Sequence, residues 1–272
     1  MKRVNFKTTT ILFFLFLLSF NIVRFFICPC ETGVLGFFFH HPSWFYFPVV
    51  IIYLVVPVAL SFIPCSQFHH YPVVCRGIGT EKTVSLTFDD GPDPENTPAI
   101  LEVLRKYNVV GTFFLIGHKI EGNEDLVKII NKEGHTLGNH SYSHTNFWDF
   151  WPPFLIHRDL MRAGEIINQV VGKKPKFFRP PFGVINPMVS NALRKCGYSV
   201  IAWSRWSLDT AIKNPENLFK RITKGLSSGD IILMHDTQKV TTAILEKVII
   251  EIHHQGFRIV PLEKLINLPA YD

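Results

Sequence analysis

Two hydrophobic patterns divide the chain. Up to about Ser66 the apolar positions run on without alternation, whereas beyond Glu81 they come in short runs separated by polar turns. Residues 8–23 carry no charge and are rich in Leu and Phe, and the run extends past Arg24 through Phe25-Phe26-Ile27. Residues 45–63 are uncharged and rich in Val and Ile, close to the ~20 residues a helix needs to cross a hydrocarbon core. Pro48 and Pro57 are tolerable in a membrane helix, and Trp44, Tyr46 and Tyr53 suit its interfaces. The pattern predicts a membrane segment over 1–66, with one or two transmembrane helices (spans about 8–27 and 45–63). A linker over 67–80 and a soluble domain over 81–272 follow. No small-x-small cleavage site follows the first run, which favours an uncleaved anchor over a signal peptide. Lys2, Arg3 and Lys7 should keep the N-terminus cytoplasmic, and the Lys/Arg-free link 28–43 fits an outside loop. Two spans would return the domain to the cytoplasm and a single span would leave it outside, so the pattern leaves the side open.

The soluble part alternates strand-like and helix-like runs. Residues 83–88 (TVSLTF) form a β-rich run that ends at Asp89-Asp90-Gly91-Pro92, where Gly and Pro force a turn. Asn96 or Thr97 offers a cap, Pro98 suits a first turn, and Ile100, Leu101, Leu104 and Tyr107 follow at helical spacing. Strands are predicted at 111–117, 198–203, 230–234 and 257–261, with an extended run at 175–179. Helices are predicted at 124–133, 155–171, from Asn186-Pro187 to Gly197, and at 215–226 and 241–254. Repeated β-α units imply a parallel sheet, as a barrel or a doubly wound sheet. No phosphate-cradling glycine fingerprint follows the first strand, which weakens a dinucleotide reading. Both architectures place active sites just after strands, which is where the polar residues gather.

Composition removes some classes. The net charge of +6 is spread out, with no dense basic tract, so nucleic acid is not an expected partner. The five cysteines form no disulfide framework by spacing, Cys28-Pro-Cys30 lacks the spacing of a zinc knuckle, and free thiols are expected. Candidate chemistry lies elsewhere. Asp89 and Asp90 end an apolar strand, where neighbours point in opposite directions, so the carboxylates can take different roles. His140 and His144, four apart, would share one face of a helical turn and reach one ion. Two His and a carboxylate make an open site for Zn²⁺ or a similar ion. The pairs His40-His41 and His253-His254 have no comparable surroundings. In Arg179-Pro180-Pro181-Phe182-Gly183 the prolines stiffen the backbone, making Arg179 a candidate carboxylate partner and the Phe182 amide a candidate oxyanion donor. His235 ends another strand, and Asp209 is a nearby acid able to charge an imidazole.

Taken in order, Thr87-Phe88-Asp89-Asp90-Gly91, His140-x-x-x-His144, Arg179 to Gly183, Asp209 and Leu233-Met234-His235 resemble the motifs of the polysaccharide deacetylases with the NodB homology domain (carbohydrate esterase family 4). The similarity covers about residues 83–265. It implies an α/β fold, a distorted (β/α) barrel with fewer than eight regular units. It also implies that Asp89 is the general base, that Asp90, His140 and His144 hold one divalent ion (Zn²⁺, with Co²⁺ an alternative), and that Arg179 orients the base. Asp209 would tune the general acid His235, Leu233 would line the acetyl pocket, and Pro181-Phe182 would border the oxyanion site. The expected reaction is removal of acetyl from N-acetylhexosamine units of a polysaccharide, glycolipid or peptidoglycan-type substrate at a bacterial inner membrane. O-acetyl ester hydrolysis and a catalytically inactive glycan-binding protein are the alternatives. In the family the fourth motif continues to Asp-Trp; here Ile212 and Lys213 stand there. Trp203, Trp206, Trp148 and Trp151 are the aromatics available to replace that wall.

Overall fold

A computed structural model of the chain describes residues 6–27, 42–61, 65, 71–79 and 81–272. Cys28, Cys30, the His40-His41 pair and residues 67–70 and 80 of the expected linker lie outside the described residues. The two apolar runs form helices α1 (Phe6–Ile27) and α2 (Pro42–Ser61). Along α1, half-buried Thr10, Phe13, Leu17 and Phe20 recur at helical spacing, and Tyr46, Val49 and Tyr53 do so along α2. These stripes meet antiparallel: the Phe13 ring stacks on Tyr53 at 3.9 Å and Tyr46 donates to Asn21 Oδ1 at 2.6 Å. Other faces of both helices expose large apolar groups, among them Leu12, Phe14 and Ile52. Among the described residues, no helix is long and apolar enough to cross a membrane. The reading of 8–27 and 45–63 as spans, and of the bilayer as a partner, therefore gains no support here.

The remaining elements form one α/β unit. After the short β1 (Val73–Val74), β2 (Thr83–Gly91) is buried along most of its length. It is followed by α3 (Asn96–Lys106), β3 (Thr112–Leu115), α4 (Gly117–Ile120), α5 (Glu124–Lys132) and β4 (Thr136–Asn139). Then come α6 (Pro153–Val171), β5 (Phe177–Phe178), α7 (Pro187–Leu193), β6 (Ser199–Ile201) and β7 (Arg205–Trp206). The chain closes with α8 (Pro215–Thr223), β8 (Asp230–His235), α9 (Lys239–His254), β9 (Arg258–Ile259) and α10 (Leu262–Ile266). Asn186 caps α7 by accepting from two backbone N–H groups, as the Asn186-Pro187 pair predicts, and Asn214 caps α8 by accepting from one, each ahead of a proline in the first turn.

All strand pairs are parallel, in the order β1-β6-β5-β4-β3-β2-β8-β7, with β9 beside the start of β2. The path ends at β1 and β7, so the described strands make an incomplete barrel rather than a closed ring. Leu86, Phe88, Phe113, Leu115 and Leu137 fill the core between the sheet and helices α3, α5 and α9. A second cluster, around Trp148, Phe178 and Tyr198, seals the sheet against α6 and α7.

Two expectations fail. Cys65 and Cys75 form a disulfide, so they are not free thiols; sequence spacing could not foresee a bond made between the approach to the domain and the edge of β1. The His140–His144 stretch is a loop after β4, not a helical turn, because Ser141 and His144 adopt left-handed φ values of 67° and 45°.

Candidate active site

The site sits at the carboxyl ends of the central strands, with β2 and β8 side by side and Asp89 in register with His235. A β-bulge breaks the register between Asp89 and Gly91, and Asp90 takes φ 72°. This left-handed residue breaks the strand's alternation, so both carboxylates line the same cavity of about 250 Å³ instead of pointing apart. Beside the bulge, a Cβ on Gly91 would come within 2.2 Å of Asp236 Oδ2, so only glycine fits there.

Asp89 Oδ1 accepts a 2.7 Å bond from Arg179 Nη1. Arg179 is fully buried, and its other donors meet Thr87 Oγ1 (2.8 Å), the Ile201 carbonyl (3.2 Å) and the Ala202 carbonyl (2.9 Å). Its guanidinium lies 4.2 Å over the Phe114 ring. That ring packs against Gly138 of β4, where a Cβ would come within 2.5 Å of it. The buried cation thus has a partner for each arm, which its burial demands.

Asp90, His140 and His144 bring one ligand atom each within 4.8 Å of one another. His140 Nδ1 lies 2.7 Å from the Arg179 carbonyl, which can only accept, so Nδ1 donates and Nε2 is the nitrogen left to face Asp90. Nε2 of both imidazoles lies 3.4 Å from Asp90 Oδ1. Burial, then the neighbouring His140, push the His144 imidazole down to about 4, so it is neutral. Burial alone would raise Asp90, but its hydrogen bond to His140 and its electrostatic interactions with His140, His235 and His144 hold it well below the usual carboxylate range. A carboxylate and two imidazoles converging at this distance are a donor set that a divalent ion takes, so these residues fit one.

On the other wall, His235 Nδ1 lies 2.7 Å from Asp209 Oδ1. Asp209 is fully buried, and its Oδ2 accepts from the His235 N–H (2.7 Å) and Thr241 Oγ1 (2.6 Å). Burial opposes charge on the imidazole, but Asp209, with Asp89 and Asp90 behind it, raises His235 to about 9. It is an imidazolium near neutrality. Leu233 lines the cavity and is nearly buried.

Phe182 adopts φ 57° in a tight turn after buried Pro181, and its ring lies 5.1 Å from that of His144. The turn's hydrogen bonds run from Gly183 N–H to Pro180 and from Val184 N–H to Pro181, bypassing the Phe182 N–H. Of the four candidate tryptophans, Trp203 and Trp206, 5.9 Å apart, both border the cavity. Trp148 is buried in the second core cluster, and Trp151 borders a separate cavity. Ile212 packs on the core and Lys213 reaches Gln238, so neither lines the site.

The site therefore unites Asp89, Asp90, His140, His144, Phe182, Leu233 and His235 around one cavity, with Arg179 and Asp209 directly behind and Pro181 in the adjoining turn. Sequence reasoning quoted Thr87 in the first motif without its role of bracing Arg179, and it missed Thr241, which braces Asp209, and Lys119, whose Nζ donates to the Asp90 carbonyl at 2.9 Å. No local signal gives these roles, because each residue acts on one far away in the chain.

Residues 76–201 match the family described as polysaccharide deacetylase. A peptidoglycan-N-acetylglucosamine deacetylase of Bacillus cereus is 37% identical over 196 residues, 69% of this chain and 89% of that protein. The peptidoglycan-N-acetylmuramic acid deacetylase PdaA of Bacillus subtilis is 30% identical, covering 74% of this chain and 78% of its own length. Among solved structures, the Bc1960 peptidoglycan N-acetylglucosamine deacetylase superposes with a TM-score of 0.70 at 32% identity, over 74% of this chain and 96% of that one. A Bacillus anthracis protein described as a CE4 family pseudoenzyme superposes with a TM-score of 0.67 at 29% identity, over 71% and 68%. Fold, motif order and relatedness agree: the chain belongs to the polysaccharide deacetylase family of carbohydrate hydrolases.

Proposed function

We propose that the chain hydrolyses the N-acetyl group of an N-acetylhexosamine unit in a bacterial peptidoglycan-type glycan, with the help of one divalent ion. The observation that carries this reading is the convergence on one cavity of a carboxylate held by a buried arginine, an Asp/His/His donor set and an imidazole charged by its own aspartate. Asp90, His140 and His144 would hold the ion, Zn²⁺ or Co²⁺ being suited to two imidazoles and a carboxylate. When bound, such an ion polarises a carbonyl and acidifies water.

The protein's own residues carry the protons. Asp89, oriented by Arg179, accepts a proton from the attacking water as its oxygen bonds to the acetyl carbon. The Phe182 N–H, unused within its turn, donates to the oxygen that gains charge. His235 passes its Nε2 proton to the departing nitrogen as the C–N bond breaks, releasing acetate and a free amine. Asp209, bonded to Nδ1, keeps the imidazole charged until then. Trp203 and Trp206 give the sugar ring an apolar wall.

The same proposal sets the domain at a bacterial inner membrane, on its outer side, which with both α1 and α2 in the bilayer requires the N-terminus outside as well, against the expectation from Lys2, Arg3 and Lys7. Two observations support it. Helices α1 and α2 pair with each other yet leave large apolar side chains facing outward, as lipid-covered helices do. A Cys65–Cys75 disulfide belongs to an oxidising compartment, which is also where mature wall polymers lie.

The test is acetate release by the full chain in detergent micelles. Its substrates are N-acetylglucosamine oligomers, muramic-acid-containing glycans and O-acetylated polymers. Release from an N-acetylated substrate, stopped by a chelator and restored by Zn²⁺ or Co²⁺, is expected. Release only from O-acetylated polymers would transfer the reading to an esterase. No release from any substrate by metal-loaded protein would sink it in favour of a pseudoenzyme.

A further inference from the structure

The loop between the two histidines is held almost entirely by side chains. Its backbone carries two strained left-handed residues, Ser141 and His144, neither of them glycine. Such conformations persist only where surrounding contacts over-determine them, because each is disfavoured by roughly 1–3 kcal/mol. All four amides from Ser141 to His144 have side-chain acceptors. Ser141 N–H donates to Asn139 Oδ1 at 2.8 Å and His144 N–H to Ser141 Oγ at 3.1 Å. The middle pair, Tyr142 N–H and Ser143 N–H, donate to the two oxygens of Asp159 at 2.9 and 3.2 Å.

Asp159 is the one acceptor that comes from a distant element. It lies on α6, is nearly buried, and takes a third bond from Trp148 Nε1 at 2.9 Å. Asn139 ties the same helix to the loop's start, donating to the Leu160 carbonyl at 2.8 Å. On the opposite side, Gly117 N–H and His118 N–H donate to the carbonyls of Ser141 and Tyr142. The loop is thereby gripped from both faces.

We propose that Asp159 is a positioning residue for the metal-binding loop. Its carboxylate bridges consecutive amides and so sets where the His140 and His144 imidazoles stand before an ion arrives. A carboxylate suits this because each of its two oxygens accepts, whereas an asparagine offers one acceptor and turns an N–H toward an N–H. The proposal rests on the divalent-ion reading of Asp90, His140 and His144.

The test uses the full chain bearing Asp159→Asn, prepared metal-free. Zn²⁺ affinity is read by competition with a chromophoric chelator, and the ligand field by the visible spectrum of the Co²⁺ form. Partners outside the ligand set typically contribute 10–100-fold to metal affinity, so a loss of that order is expected. A changed Co²⁺ spectrum, and activity partly restored by excess metal, should accompany it. Amide exchange should accelerate at 142 and 143 while β2 and β8 stay protected. A folded Asp159→Asn protein binding Zn²⁺ within twofold of the parent, with the same Co²⁺ spectrum, would overturn the proposal. A second measurement needs no variant: in the metal-free parent the amides of Tyr142 and Ser143 should exchange slowly, and exchange at the free-peptide rate would also overturn it. Failure of the parent to bind any divalent ion would instead sink the metal reading itself.

Discussion

Replacing Asp209 by Asn removes a charge while keeping the side chain's shape. His235 stands at about 9 in the folded protein, against an ordinary histidine near 6.5. The difference, about 2.5 pK units, corresponds to roughly 3 kcal/mol favouring the imidazolium. Burial opposes that charge, and the hydrogen bond and charge of Asp209 are the largest contributions that raise it. Without them the imidazole should fall to about 6.5 or lower. At pH 8 the protonated fraction would then drop from about nine-tenths to about one-thirtieth, a loss of roughly thirtyfold in the form that can protonate the leaving amine. The assay is kcat/KM against pH for the metal-loaded enzyme, with an NMR titration of His235 in the metal-free protein. The parent should lose activity as pH rises through about 9; the variant should lose it about two units lower and recover much of its rate near pH 6. Stability follows the same sign. A raised histidine stabilises the fold fully below about 6.5, and that contribution fades as pH climbs through about 9. A folded Asp209→Asn enzyme whose basic limb stays near 9 would refute the assignment of His235 as the proton donor tuned by Asp209.

Asp89→Ala leaves the Arg179 cation buried without its anionic partner and should destabilise the fold by about 3–5 kcal/mol in urea unfolding. A loss below about 1 kcal/mol would mean that Thr87 and the two carbonyls suffice to hold the guanidinium. Asp236 is fully buried with Oδ1 unpartnered, and burial raises its carboxyl to about 7. Because the folded state holds that proton more tightly than the unfolded chain, the parent loses stability as pH rises between about 4 and 7. Asp236→Asn should therefore gain roughly 2–3 kcal/mol relative to the parent between pH 5 and pH 8, read as a widening Tm difference. Equal pH dependence in the two proteins would contradict it.

The alternating units were readable because each buried strand is a short apolar run ended by Gly, Pro or a polar cluster. The strand predicted at 230–234 is β8 within one residue, and Gly172 ends α6 in a left-handed cap as its position predicts. Short pieces escaped. Strand β7 is two residues long, and its pairing with β8 is decided across the sheet rather than along the chain. Candidate site residues were legible where identity and order carry the chemistry, as for His140, His144 and His235. Their geometry was not. The bulge that turns Asp90 beside Asp89, and the left-handed residues that replace a helical turn at 140–144, depend on partners such as Asp159 far along the chain. Likewise Trp203 and Trp206 were two tryptophans among four until the sheet brought them to one rim.

Arg179 sits where chemistry and architecture share one side chain. It ties Asp89 to Thr87 on β2 and to the carbonyls of Ile201 and Ala202 at the end of β6. Stability of an ordinary domain is about 5–15 kcal/mol, so losing either member of the Arg179–Asp89 pair would use up a large share of the margin. Mutational drift in this lineage is thus constrained unevenly. A descendant that abandoned catalysis would be purged for changes at the buried arginine, yet would survive changes at rim positions such as Phe182 or Trp206. Inactive descendants of this protein should keep the arginine and erode from the cavity's edge inward.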